Sequence, residues 1–358
     1  MNKLLFTGEL PPNSINGIAY SNEINLNLLK KTFNIYIVEE KVIITDHKKI
    51  TTAKLLINLE RFIRIIFLSI IHDFKMFYLT FPTSTTGVLK TITLLLVFKL
   101  FNIKSKIILH LHRGDIIYFI NKNRFNLNLF QLTIKLTNKF IVLSKRDKTY
   151  LSENFSNYNC FFSVLSNTLK KDKEYDVNTT NEHKLTNFIY VSNYIEEKGI
   201  LDLLETFKNI NLDINLECFG NFTNDKLKFK ILSYSSEKIH INGPIYDEDK
   251  FDRISKSDCL ILPSHNEGMP LILLESMLVG TPFITTSVGC VDEMIYNEYP
   301  YVYNFSNKSS LIDLLHLFVN QKLEDYYSLR IRLKKYYIDN FSLSTHEIKL
   351  NNIFLNES

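Results

Sequence analysis

Short β-branched runs and longer helical patterns alternate along this chain in two separate series, and that alternation leaves few folds open. In the first series Lys3–Thr7, Ile35–Glu39, Lys41–Thr45, Met76–Phe81, Lys106–Leu111 and Phe140–Leu143 read as strands. Ile24–Thr32, Lys54–Phe67, Val88–Phe101 and Lys145–Glu153 read as the helices between them. Strand–helix order repeated in this way predicts a parallel sheet covered on both faces. Lys170–Lys184 is polar, charged and without periodicity, so it reads as a linker. A second series follows at Asn187–Ser192, Asn215–Phe219, Lys238–Ile241, Cys259–Pro263, Pro282–Thr285 and Tyr301–Tyr303. The 358 residues suit two such domains better than one core.

Charge divides the same way. Residues 1–165 carry 22 Lys and Arg against 10 Asp and Glu, a balance of +12; residues 166–358 carry 20 against 28, or −8. A basic first half suits nucleic acid or an anionic membrane surface. No basic motif interleaved with aromatics supports nucleic acid, so the lysine doublets read as solvated faces. Leu55–Ile71 is interrupted by Glu60, Arg61 and Arg64, and Thr91–Phe101 is short and contains Lys99, so neither reads as a membrane span. They read as core helices, with an interfacial helix as the alternative. Met1–Gly8 reads as a first strand and not as a signal peptide. Cys160, Cys218, Cys259 and Cys290 have no C-x-x-C or zinc-like spacing and read as buried thiols of a cytoplasmic protein.

The segment most informative about chemistry is Asp258–Glu293. A buried strand ends at Pro263-Ser264, a polar loop His265–Gly268 follows, and Pro270 opens a helix that stops at Gly280. Such a turn aims the free amides of Gly268, Met269, Leu271 and Ile272 beyond the strand end, where the helix dipole adds to an anion site suited to a diphosphate. Glu267 and Glu275 flank it, and carboxylates bind hydroxyl pairs of a sugar or a ribose well.

Glu267 and Glu275 in EGMPLILLE reproduce the E-x7-E signature, and the whole segment resembles the retaining glycosyltransferases of the GT-B fold, family 4-like (glycosyl transferases group 1). Phe188–Glu205 is similar to the strand–loop–helix that opens the donor domain of that family. There Lys198 matches the lysine that neutralises the donor diphosphate and Gly199 caps the turn, while Asn193 stands where relatives usually carry Arg. Gly8–Gly17 resembles the glycine loop after the first strand, with Asn16-Gly17 opening the next helix. In His110–Gly114, His112 matches the family's histidine near the transferred sugar.

The resemblance implies an α/β protein with two Rossmann-like domains whose parallel sheets face across a cleft. Residues 1–168, completed by a crossover helix at 341–358, would bind the acceptor, and residues 169–340 the nucleotide-sugar donor. It implies a retaining hexosyltransferase-type enzyme acting on a glycan or lipid-linked acceptor in bacterial surface polysaccharide or lipopolysaccharide synthesis. Glu267, Lys198 and His112 would be catalytic; Gly17, Asn193, Gly268, Met269, Pro270, Leu271, Ile272 and Glu275 would bind donor, with Glu275 on the ribose. No cofactor or metal is implied: Asp247-Glu248-Asp249 fits a D-x-D metal motif but reads as the acidic first turn of a helix. A peripheral contact with an anionic membrane at the inner face of the cell membrane fits the basic half. A GT-B-type sugar-nucleotide epimerase or a non-catalytic sugar-nucleotide-binding protein is the alternative, and a phosphorylase would need a pyridoxal lysine, for which the sequence has no signature.

Overall fold

The computed structural model describes residues 1–41, 52–170, 175 and 183–355. The chain divides into two compact units, Met1–Asn167 with His346–Ser358, and Thr168–Thr345. The strand expected at Lys41–Thr45 and most of the linker lie outside the described residues.

The first unit holds a six-stranded sheet of β1 (Asn2–Gly8), β2 (Phe33–Glu39), β3 (Met76–Phe81), β4 (Lys106–Leu111), β5 (Lys139–Val142) and β6 (Phe161–Val164). The second holds β7 (Asn187–Val191), β8 (Asn215–Phe219), β9 (Ile239–Asn242), β10 (Cys259–Leu262), β11 (Phe283–Thr286) and β12 (Val302–Tyr303). Strand orders are β2-β1-β3-β4-β5-β6 and β12-β11-β10-β7-β8-β9, and the pairings are parallel. Continuous apolar runs such as Leu4-Leu5-Phe6 and Leu260-Ile261-Leu262 are buried because helices cover both faces. One core of the first unit joins strand residues Leu5, Phe77, Leu109 and Phe140 to helix residues Ile65 and Phe98.

Each order reverses once, between β1 and β3 in the first sheet and between β10 and β7 in the second. At such a switch point adjacent strands send their connections to opposite faces, which opens a crevice beyond their C-terminal ends. The loops after β7 and β10 therefore lie beside one another, as do those after β1 and β3.

Local reading failed where polar residues hid the period. The periodicity placed a helix at Ile24–Thr32, but it runs from Gly17 to Leu29, opening at Asn16-Gly17 as the glycine-loop resemblance implied: Asn16 caps it by accepting from Ala19 N at 2.9 Å, and its first turns bury Ser21 and Asn22. Helix Arg124–Leu136, preceded by the short helix Ile116–Asn121, was not expected: Phe125, Leu127 and Leu129 alternate with Asn, which looks like a strand period. Strand β6 at Phe161–Val164 was also not expected.

Candidate functional site

In the second unit β10 passes through Pro263 and Ser264 into the loop 265–270, then into the helix Leu271–Val279. Pro270 occupies the N-cap (φ −68°, ψ 120°), one residue before the first helical position where the sequence suggested it. The N–H groups of Leu271 and Ile272 have no carbonyl a turn earlier to bond. Gly280 ends the helix in the left-handed region at φ 73°.

Beside this loop, β7 leads into a 3₁₀ turn, Glu196–Lys198, and then the helix Ile200–Asn209. The two loops are fastened together: His265 N donates to Glu197 O at 2.9 Å, and Gly199 passes directly beneath the carbonyl of Pro263. That fastening places Lys198 Nζ 2.6 Å from Glu267 Oε1, an atom that also accepts from Ser264 Oγ at 2.7 Å. Two residues picked from separate motifs thus form one largely buried ion pair, with side chains 24% and 9% exposed.

A third loop closes on the same backbone. Cys290 N donates to Gly268 O at 2.9 Å, and Gly289 (φ 61°) lies so close that a Cβ would sit 2.0 Å from Glu267 O. Gly199 is equally constrained: at φ 68° its Cβ would stand 2.0 Å from Pro263 O. Gly199→Ala is expected to destabilise the second unit by about 1–3 kcal/mol or more from backbone strain and overlap. Urea unfolding checks this, and an unchanged midpoint would show that the two loops can separate freely.

Glu275, in the second turn of its helix, is buried, and its Oε1 lies 2.6 Å from Lys250 Nζ. Burial raises its pKa, and the Lys250 ammonium works in the opposite direction. Lys250 belongs to the helix Asp247–Lys256, whose first turn is Asp247-Glu248-Asp249, as the dipole favours. Asn193 is exposed and accepts from Asn221 Nδ2 at 3.4 Å. Among the described residues no group of three or more His, Cys, Asp and Glu converges as a metal site.

Gly17 and His112 belong to the first unit. Gly17 opens the helix that carries Asn22, whose Oδ1 lies 3.1 Å from His112 Nε2. Burial, then the neighbouring His346, lower the pKa of His112 to about 3, so it is neutral near pH 7. His112 Nδ1 is buried with no hydrogen-bond partner among the described residues. The His110 ring lies tilted against that of His112, 4.0 Å between centroids, and bonds Tyr78 OH at 2.7 Å. A cavity of about 600 Å³ lies in this unit, not against the Glu267–Glu275 segment; Glu9, Arg61, Thr80, Ser84, Lys90 and Arg113 help to line it. It sits at the β1/β3 switch point.

Ser264 entered the sequence reading only as the end of a strand, and Lys250, Gly289 and Asn22 escaped it. Only Gly289 had a signal, as the glycine that precedes Glu293 in the motif segment.

Residues 171–337 match the family model described as Glycosyl transferases group 1. That match spans nearly the whole of the second unit, Thr168–Thr345. The uncharacterized glycosyltransferase MJ1178 of Methanocaldococcus jannaschii is 27% identical over 198 residues, 54% of this chain and 52% of that protein. N-acetyl-alpha-D-glucosaminyl L-malate synthase of Bacillus anthracis is 27% identical over 146 residues, 40% of this chain and 36% of that protein. The chain therefore spans about half or less of the length of these relatives. Sucrose-phosphate synthase from Thermosynechococcus elongatus superposes with a TM-score of 0.76 at 13% identity, over 99% of this chain and 98% of that one. HepE of Anabaena, solved with UDP and glucose, superposes with a TM-score of 0.70 at 11% identity, over 99% of each chain. These likenesses give the chain the GT-B fold.

Proposed function

We propose that this chain is a retaining glycosyltransferase that moves a sugar from a nucleotide-diphosphate donor to a glycan or lipid-linked acceptor in surface polysaccharide or lipopolysaccharide synthesis. The observation that carries the reading is the Lys198–Glu267 pair, set at a switch point beside a helix N-terminus, with Glu275 buried eight residues on. As the bond between the anomeric carbon and the diphosphate oxygen breaks, its electron pair passes to the diphosphate. Lys198 and the first-turn amides meet that growing charge, and fixed donors at such a place act mainly on the transition state. Glu267, held by Lys198 and Ser264, orients the sugar with the Gly268–Leu271 backbone. Glu275 takes the ribose hydroxyls, with the Lys250 ammonium opposing the rise that burial gives its pKa.

Gly17 and His112 of the first unit are assigned to the sugar. His112 serves there as a neutral hydrogen-bonding group rather than a proton carrier, in keeping with its low pKa. The diphosphate charge has lysine and amide partners, so we assign no metal or cofactor. The setting is taken to be cytoplasmic, which suits four buried cysteines outside any disulfide.

Asn193 favours a second reading, a sugar-nucleotide-binding protein without transfer, because it removes one cation from the diphosphate site. Titration calorimetry against a panel of nucleotide sugars, with and without EDTA, combined with a donor-hydrolysis assay separates the two. Binding with turnover supports the transferase; binding without turnover supports the second reading. Glu275→Gln is expected to weaken donor binding by about 1–3 kcal/mol, the cost of losing a charged hydrogen-bond partner. An unchanged Kd would take Glu275 out of the ribose role.

A further inference from the structure

Two neighbouring helices of the first unit turn apolar side chains away from the core. In Thr52–Ile71, Ile65 is fully buried, while Phe62 and Leu68 pack against the core. Leu56, Leu59, Ile63, Phe67 and Ile70 are 55–65% exposed. At about 100° per residue these five fall within an arc of about 80° on the side opposite Ile65. Helix Thr85–Phe101 packs against this one and presents a second outward row, Leu89, Leu96 and Leu100, which Ile103 extends just past its end. Isolated exposed apolar residues are ordinary, but a continuous stripe over two adjacent helices marks a contact surface.

Charge says what covers it. Residues 52–136 contain twelve Lys and Arg against three Asp and Glu. Helix Thr85–Phe101 has no acidic residue, and neither has helix Arg124–Leu136 beyond it. Glu60, the acidic residue of helix Thr52–Ile71, lies 3.9 Å from Arg64 one turn later. Arg64 and Lys104 stand exposed beside the stripe. Among the described residues no helix is long and apolar enough to cross a membrane, and an apolar helix face flanked by basic residues suits the plane of a bilayer rather than a span.

We propose that the outward face of helices Thr52–Ile71 and Thr85–Phe101 docks in the plane of an anionic lipid bilayer. The apolar rows enter the headgroup boundary and the flanking lysines and arginines meet anionic headgroups, two contributions that together give stable but reversible attachment. This goes beyond the donor chemistry, and the test needs no nucleotide sugar, so either idea can fail alone.

The experiment is flotation of the full chain with vesicles of phosphatidylcholine, with and without phosphatidylglycerol, at low and high salt. Anionic vesicles are expected to carry the chain at low salt and to release most of it at high salt. The double substitution Ile63→Glu with Phe67→Glu is expected to weaken vesicle binding by about 100-fold or more, since two apolar anchors are lost. Both side chains are exposed, so the thermal melt should not move. No flotation of the unsubstituted chain overturns the proposal, as does equal flotation of the double variant. A dimer seen by sedimentation velocity and lost in the double variant, without vesicle binding, overturns it in favour of self-association.

Discussion

Lys198→Ala is expected to lower kcat for sugar transfer by about 10²–10³-fold, the usual loss on removing one preorganised charge-stabilising donor. The ammonium is held where it is by three separate features: the 3₁₀ turn, the His265–Glu197 backbone bond and the ion pair with Glu267. None of them requires a bound donor, so the site is assembled in advance. Charge on the departing diphosphate peaks in the transition state, and the donor KM should therefore rise less than kcat falls. Initial rates over a range of donor concentrations separate the two constants. A rise in KM at constant kcat would confine Lys198 to ground-state binding.

The second large effect concerns acid. His110, His112 and His346 are buried together in the first unit, where His346 bonds Asn25 at 2.7 Å and Ser166 O at 2.9 Å. Burial is the main cause that lowers all three pKa values: His112 to about 3, His346 to about 4, and His110 well below the usual range. Unfolded, each titrates near about 6.5. Between the folded and unfolded values, unfolding takes up protons, so stability falls as pH falls; above about 6.5 the penalty is absent. Each histidine contributes a slope of up to about 1.4 kcal/mol per pH unit, and three approach about 4 kcal/mol per unit below pH 6. Urea midpoints measured from pH 7.5 to 5 read this slope, and His112→Asn should remove roughly a third of it. A flat midpoint between pH 6.5 and 5.5 would mean that these rings already reach solvent or a proton acceptor.

The strand order was readable only as far as parallel pairing. Runs such as Lys106–Leu111 declare themselves because both faces are buried and four of the six positions are Ile or Leu. Arg124–Leu136 did not, because composition rich in Asn imposes a false period of two on a helix. At the site, Lys198 and Glu267 were legible singly as motif positions, yet their contact across 69 residues of chain depends on β7 and β10 being neighbours. Lys250 was invisible for the same reason: nothing local distinguishes a lysine that reaches a carboxylate 25 residues away from one in solvent. Gly199 and Gly289 could be marked as turn residues, whereas the carbonyls that forbid a side chain there belong to another loop.

The helix Leu343–Leu355 has a consequence for biosynthesis. Its residues from His346 onward belong to the unit that begins at Met1, and His346 meets Asn25 across 321 residues of sequence. Phe354 likewise packs edge-on against Tyr78. On the ribosome the sheet β1–β6 emerges long before these partners do. Tyr78, His110 and Asn25 must wait, incompletely covered, while the whole second unit is translated. The unit made first is thus the one finished last, and a nascent chain stalled before residue 346 would present its unclosed core to chaperones and proteases.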